Sequence, residues 1–474
     1  MEHISSSHNP FATPLVATPA ESIRSRRLHS GLEDATGEID IKPTSGIHFN
    51  SLTTVTVTVT PTRPRRRFKS SRLVGEFEKP WLLEKKRQWN WDSIIFYTCV
   101  GIALAISGYI CWSAYAEVPK HEWCMVLDED FATLDTKIWN HEVQLNGFGT
   151  GSFDWTTTDP RNSYVDAEGL HIVPTLTLDD THYTEAQLLN NTWLNLTADG
   201  TCTYSVQRTS TLADWSPCEV YSNTTSGQIL PPVRSARLTT KGKKTIKYGR
   251  VEVVAKLAKG DWLWPAIWMM PEDSVYGEWP KSGEIDIIES RGNDAQTYSL
   301  GNNIVTSTLH WGTTYLNDAY LKSTSDWGAQ RTKYGEGYHT YGLEWTEDYL
   351  FTWLDGRLRQ VLYFDFTKNV DMWTYGGFAG STVNKTVPSN PWSGSTRKNT
   401  PFDQEFYLIL NVAVGGTNNY FPDNLGGKPW VDASSSAMKE FYLAQNAWLP
   451  SWGTPEERGM IVKSVKMWQL GRCG

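Results

Sequence analysis

From Ile94 to Ala116 the chain reads IIFYTCVGIALAISGYICWSAYA, an apolar run with no ionisable acid or base among its members. About twenty such residues in a helix are enough to cross a hydrocarbon core of about 30 Å. A run of this kind separates whatever precedes it from whatever follows. Aromatic residues gather at its ends, Trp89, Trp91, Phe96 and Tyr97 on one side and Tyr109, Trp112 and Tyr115 on the other, as interfacial belts do. A buried core helix is the bland alternative. A cleaved leader is disfavoured, because the run begins only at residue 94 and is longer than the usual apolar region of a signal peptide. Arg63, Arg65, Arg66, Arg67, Lys69, Arg72, Lys79, Lys85, Lys86 and Arg87 precede it, whereas Glu117, Glu122, Asp128, Glu129 and Asp130 follow. The positive-inside rule then puts the N-terminus in the cytosol. The expectation is a single-pass type II membrane protein whose C-terminal part faces the secretory lumen or the cell exterior, in the Golgi, the plasma membrane or at the cell surface.

Two features beyond the run agree with that placement. All four Asn-x-Ser/Thr acceptors, Asn190, Asn195, Asn223 and Asn384, lie after it, where N-glycosylation takes place. Of the six cysteines, Cys99 and Cys111 are inside the run and Cys124, Cys202, Cys218 and Cys473 beyond it. An even set in an oxidising compartment suggests disulfides. Cys202 with Cys218, closing a short polar insertion, and Cys124 with Cys473, tying the first strand to the last, are the favoured pairs, with free buried thiols as the alternative.

Residues 1–75 are rich in Ser, Thr, Pro and Arg and lack apolar periodicity of core length, so a disordered cytosolic tail is expected there, followed by a basic juxtamembrane segment over 76–93. The TVTVTVT stretch within it alternates like a strand but has nothing nearby to pair with. Residues 1–92 carry 14 Lys and Arg against 10 Asp and Glu, which leaves 30 basic against 42 acidic residues for the rest. An acidic body argues against nucleic acid as partner, since phosphate binding needs a concentrated cationic face. A polysaccharide makes no such demand.

After the run, short stretches of period two are broken by Gly, Pro, Asn and Asp, the texture of an antiparallel β-sandwich or barrel. The domain is read as 122–474. YGRVEVVAKL (Tyr248 to Leu257), YHTYGLEW (Tyr338 to Trp345) and EFYLILNVAV (Glu405 to Val414) alternate large apolar with smaller or polar residues. Asp355-Gly356 predicts a tight hairpin with a type I′ turn, which needs positive φ at both central residues. The 23 Trp of the chain can fill such a core or stack on sugar faces.

The chemistry is concentrated in GEIDIIES. On a strand Glu284 and Asp286 share a face, while Ile285 and Ile287 point to the core. Strict alternation would bury Glu289, and a bare carboxylate in an apolar core is costly. A β-bulge between Asp286 and Glu289 would return it to the face of the other two, and bulges are frequent beside active sites. Three carboxyl groups in one place raise at least one pKa, so that a proton is held near neutral pH, as a general acid requires. Two carboxyl groups across one glycosidic bond are also what retaining glycoside hydrolysis needs. The bland reading, an exposed acidic strand edge, leaves the apolar Ile285, Ile287 and Ile288 unexplained. Upstream, Trp262, Trp264 and Trp268 alternate with Leu263, Pro265 and Ile267, so the three indoles would share one face, either flooring a sugar cleft or packing in the core. No Gly-rich phosphate loop, zinc-spaced His/Cys set or nucleophile elbow is present, and neither a cofactor nor a metal is expected.

The pattern Gly-Glu-Ile-Asp-x-x-Glu at Gly283 to Glu289, preceded by Trp-Pro-Ala-Ile-Trp at Trp264 to Trp268, resembles glycoside hydrolase family 16, the laminarinase-type β-1,3-glucanases. The likeness resumes at STLHWG, YHTYGLEW, the Asp355-Gly356 hairpin, LILNVAVGG, GKPW and VKMWQL, spanning essentially all of 122–473. It implies an all-β, concanavalin-like jelly-roll sandwich with a concave cleft for β-glucan. Glu284 would be the nucleophile, Glu289 the acid/base and Asp286 the residue that orients the nucleophile. Trp279, His310, Trp311 and Asn411 would lie along the sugar subsites, which Trp264 and Trp268 join on the alternation argument above. The texture is also similar to fungal wall-glucan enzymes and to invertebrate β-glucan recognition proteins, in which the acids are typically replaced; here all three stand. The resemblance therefore implies a hydrolase or transglycosylase acting on β-1,3-linked, mixed or β-1,6 glucan in cell-wall remodelling. A non-catalytic glucan-binding protein, or a factor in β-1,6-glucan assembly, is the alternative.

Overall fold

The computed structural model describes residues 71–72, 74–83, 90–204, 217–368, 370–383 and 386–473. The expected disordered tail and its TVTVTVT stretch fall outside these residues save for the tail's last few, and the acceptor Asn384 falls outside them altogether. The chain divides into two compact units, with the boundary between Pro119 and Lys120.

In the first unit the apolar run forms the helix Trp91–Glu117, 27 residues long, with none of its residues buried. A core helix would bury one stripe against a partner, so the core-helix alternative is not met. By length and composition this helix can cross a bilayer.

The second unit is a sandwich of two eight-stranded antiparallel sheets. The back sheet runs Gly356–Asp365, Tyr349–Leu354, His339–Trp345, Gly249–Lys256, Met460–Leu470, Gly169–Ile172 and Ser163–Asp166, with Trp123–Glu129 also on Met460–Leu470. Four strands of the other sheet carry the site: β1 (Leu263–Pro271), β2 (Glu284–Ser290), β3 (Ile304–His310) and β4 (Phe406–Val414). That sheet runs Thr324–Gly328, β3, β2, β1, β4, Arg237–Thr239 and Asn140–His141, with Thr245–Ile246 also on β4. The alternation read in YGRVEVVAKL is realised: Val251, Val253 and Ala255 are fully buried and the residues between them half-buried. One continuous apolar core fills the space between the sheets, with Trp311, Trp345, Trp430, Trp448 and Trp452 among its largest members.

The hairpin at Asp355 forms, joining Tyr349–Leu354 to Gly356–Asp365, but not as a type I′ turn. Asp355 alone takes positive φ, 60°, and Gly356 does not. Asp355 is held there by its carboxylate, which accepts from the Thr340 backbone N–H and Arg359 and contacts His339 Nδ1.

Both favoured disulfides are present. Cys124–Cys473 joins the first strand of the unit to the segment after its last. Cys202–Cys218 closes a 16-residue separation beside a small second core of Val143, Leu188, Leu194, Leu196, Ile229 and Leu230.

Candidate active site

Strand β2 lies between β1 and β3. On the β1 side Met269 faces Ile285, Trp268 faces Asp286, Ile267 faces Ile288 and Ala266 faces Glu289. On the β3 side Glu284 faces His310, Asp286 faces Thr308 and Glu289 faces Thr306. The register slips by one residue between Asp286 and Glu289 on both sides. This is the bulge the burial argument demanded. Ile287 and Ile288 are both buried, and Glu289 returns to the face of Glu284 and Asp286.

A bulge frees backbone groups that a regular ladder would pair, and buried ones need partners. Ser307 Oγ donates to the Ile287 carbonyl (2.6 Å), Thr352 Oγ1 of the back sheet donates to Ser307 Oγ (2.7 Å), and the Leu362 backbone N–H donates to Thr352 Oγ1 (3.1 Å). The bulge is thus fastened through the core to the opposite sheet.

Glu284 Oε2 accepts from Trp279 Nε1 (2.5 Å) and Glu289 Oε1 from Trp264 Nε1 (2.8 Å). Asp286, 2% exposed, faces His310 Nε2 at 3.3 Å. His310 Nδ1 meets Asp318 Oδ2 at 2.5 Å, and the other oxygen of Asp318 accepts from the backbone N–H groups of Trp311 and Tyr320. Burial raises the pKa of all three acids. For Glu284 the charge of Asp286 adds to it, for Asp286 that of Glu289, while for Glu289 His310 and the Trp264 hydrogen bond work against it. Burial alone would lower His310, but Asp318, Asp286 and Glu284 outweigh it and hold the imidazole well above its ordinary value. One imidazolium thus serves several carboxyl groups, and the cluster retains a proton at neutral pH.

Glu284, Asp286 and His310 bring ligand-type atoms within 4.8 Å of one another. Both imidazole nitrogens already lie against carboxylates, Nε2 against Asp286 and Nδ1 against Asp318. The set is explained as a hydrogen-bonded acid network.

Of the aromatic residues expected along the sugar path, Trp264 and Trp268 lie on the outward face of β1 with Ala266. Trp264 stacks on Tyr420 (3.8 Å between centroids, 7° between planes). Trp268 Nε1 donates to Asn411 Oδ1 (2.7 Å), and the Arg237 guanidinium lies 4.6 Å from its ring centre. Trp279, half-buried, sits beside His310 at 5.8 Å. Two expectations fail. Trp311 is fully buried, donating to Ser323 Oγ and packed on Phe378 and Trp392. It follows His310 directly, so alternation turns it to the core. Trp262 precedes β1, takes φ 67°, and packs edge-on against Tyr298, Phe421 and Trp430.

Three contributors escape the local sequence: Asp318, Tyr420 and Arg237. Arg237, paired with Glu142 (2.6 Å), is flanked by Phe148 (3.9 Å) as well as Trp268. Arg291, next in chain to the strand of acids, clamps Tyr420 by donating to its carbonyl and lying 4.0 Å over its ring.

Residues 191–405 match the profile of Glycosyl hydrolases family 16. A β-1,3-glucan-binding protein of Penaeus monodon is 36% identical over 360 residues, covering 73% of this chain and 90% of that protein. A glucan endo-1,3-beta-glucosidase of Cryptopygus antarcticus is 36% identical over 206 residues, 42% of this chain and 60% of that one. Among solved structures, the catalytic domain of an endo-1,3-beta-glucanase (laminarinase) from Thermotoga petrophila aligns with 74% of this chain and 100% of its own, at 21% identity and a TM-score of 0.43.

Proposed function

The chain belongs to glycosyl hydrolase family 16, and from that premise we propose that it cleaves or rearranges β-1,3-linked glucan with retention at the anomeric carbon. The observation that carries this reading is the bulged strand, which puts Glu284, Asp286 and Glu289 on one face with no Lys or Arg salt bridge to any of them among the described residues. Structural carboxylates are normally neutralised by a cation of their own; these share one imidazole.

In the proposed reaction Glu284 attacks the anomeric carbon while Glu289 protonates the leaving oxygen, which gives a glycosyl-enzyme. Glu289 then takes a proton from water or from a sugar hydroxyl, whose oxygen displaces Glu284. Water gives hydrolysis; sugar gives transfer. Glu284 and Asp286 lie side by side and burial raises both, Glu284 the further; attack requires the proton they share to sit on Asp286, so that Glu284 is the anion. Trp279 Nε1 and the imidazolium of His310 stabilise that anion. Trp264 orients Glu289, and Trp264, Trp268, Trp279 and Asn411 border the sugar path. The helix Trp91–Glu117 anchors the chain as a type II membrane protein, with the sandwich, its disulfides and its acceptors Asn190, Asn195, Asn223 and Asn384 on the lumenal or outer side.

The test is to incubate the purified full chain in detergent with a laminarin-type glucan and size the products. Shorter chains mean hydrolysis and longer ones transfer; binding without either over a broad pH range overturns the enzymatic reading. A purely glucan-binding role is favoured by one observation, the name and 36% identity of the Penaeus protein. On that reading the wild type shows no turnover, and Trp264→Ala or Trp268→Ala weakens binding more than any change at the acids. Protease digestion of sealed microsomes tests the topology, since cleavage of the sandwich in intact vesicles is incompatible with a lumenal domain.

A further inference from the structure

The hairpin Thr192–Asn195/Glu219–Ser222 turns Leu194 and Ser222 inward, where both are buried over the small second core. Its other face carries Trp193, 63% exposed, directly opposite Tyr221, 46% exposed. A pair of large rings on the wet side of a two-stranded ribbon calls for an occupant. The sequence around each ring supplies one. Trp193-Leu194-Asn195-Leu196-Thr197 and Tyr221-Ser222-Asn223-Thr224-Thr225 each place an aromatic residue two positions before an N-glycosylation acceptor. On extended backbone, residues two apart share a face, so each ring stands beside its own acceptor. Asn195 pairs with Glu219 at one end of the aromatic pair, and Asn223 follows Ser222 at the other.

The acceptor amides are set for modification. Asn195 Oδ1 accepts from the Ala198 backbone N–H (2.9 Å), and Asn223 Oδ1 from that of Thr225 (2.9 Å), within its own acceptor triplet. Among the described residues neither Nδ2, the atom that carries a glycan, donates a hydrogen bond, and only the Oδ1 atoms are engaged. Tyr221 is fixed by donating its hydroxyl to Asn191 Oδ1 (2.5 Å). Asn190 offers a contrast: two positions before it stands Leu188, fully buried.

We propose that Trp193 and Tyr221 are stacking platforms for N-linked glycans on Asn195 and Asn223, so that the ring pair is covered by the chain's own sugar. This rests on the lumenal placement above. In the modification the Asn Nδ2–C1 bond forms and the C1–O bond to a lipid-pyrophosphate oligosaccharide donor breaks. The amide proton leaves and the lipid pyrophosphate departs. The first sugar then lays its C–H face and acetyl methyl on the indole or phenol ring.

The test uses the full chain made in a secreting eukaryotic cell and purified in detergent, with glycopeptide mass spectrometry and thermal unfolding of Trp193→Ala, Asn195→Gln and the double variant. Asn195 and Asn223 are expected to be occupied. Trp193→Ala should lower the midpoint by about 2 °C with the glycan present and by clearly less in the Asn195→Gln background. If Trp193→Ala does not fold, Trp193→Phe keeps a ring and enzymatic deglycosylation of the wild type should give the same lowering. Equal lowering in both backgrounds overturns the proposal. So does occupancy confined to Asn190 or Asn384, or a loss of β-glucan binding with Trp193→Ala, which would make the pair a platform for external glucan. Absence of glycan at all four acceptors overturns both the proposal and the lumenal premise, and is distinguishable from the other failures for that reason.

Discussion

The two sheets each bury carboxylates, and they treat them differently. In the back sheet Glu344, 1% exposed, has one oxygen 2.5 Å from the Arg357 guanidinium and the other accepting from the Tyr349 hydroxyl (2.8 Å). That carboxylate owns a cation. In the site sheet Asp286 contacts His310, Glu284 and Glu289 feel only the charge of that imidazole, and Asp318 claims its other nitrogen. Burial of a paired carboxylate holds strands together; burial of crowded ones stores a proton.

The sharpest way to break this comparison is Glu284→Gln, which keeps shape and removes the charge that attacks in the proposed reaction. Turnover should fall by about 10⁴-fold or more, some 5 kcal/mol of activation free energy, while circular dichroism and glucan binding stay unchanged. Glu289→Gln comes next, with a loss of about 10³-fold on natural glucan, some 4 kcal/mol. Much of that should return on an aryl glycoside whose leaving group needs no protonation. In the back sheet the penalty should fall on stability instead. Arg357→Met strands the Glu344 carboxylate, and because Arg357 is half-exposed the loss should be about 2 kcal/mol in urea unfolding, with turnover per folded molecule retained. Asp318→Asn removes one of the carboxylates that keep His310 cationic, so the imidazole loses its proton at lower pH. The basic limb of the pH–rate profile should move to lower pH, and activity at pH 7 should fall about tenfold, some 1.4 kcal/mol.

The smallest effect has the opposite sign. The folded-state pKa of Glu284 is raised above 4.5 by burial and then by Asp286. Its ionisation therefore costs stability that is absent below the unfolded value and grows as pH rises through the interval up to the folded value. Glu284→Gln should stabilise the fold by about 1 kcal/mol at neutral pH and leave it unchanged near pH 4. Melting curves at the two pH values check this; equal shifts at both would remove the proton-storing account.

Much of the site was legible because period two is unforgiving. Glu284, Asp286 and Glu289 share a face only if the strand slips once, so a conflict in the alternation pointed to the bulge. The same rule sends Trp311 to the core once His310 faces outward. What fastens the bulge was not readable, since Ser307 and Thr352 become neighbours only when the sheets close on each other. Asp318 and Tyr420 lie in connecting segments whose course no periodicity describes. The hairpin at Asp355 stands where the Asp-Gly pair predicts it but in a different turn type, because the Asp355 carboxylate gathers Thr340, His339 and Arg359 around a turn with a single positive φ.

Cys124–Cys473 makes nearly the whole sandwich a covalently closed circuit, since the bonded residues are 349 apart in sequence. A protease that nicks any loop between them opens the circuit without detaching a piece. Chain entry and exit are clasped at one spot, so a severed domain keeps both halves until a reductant reaches that sulfur pair.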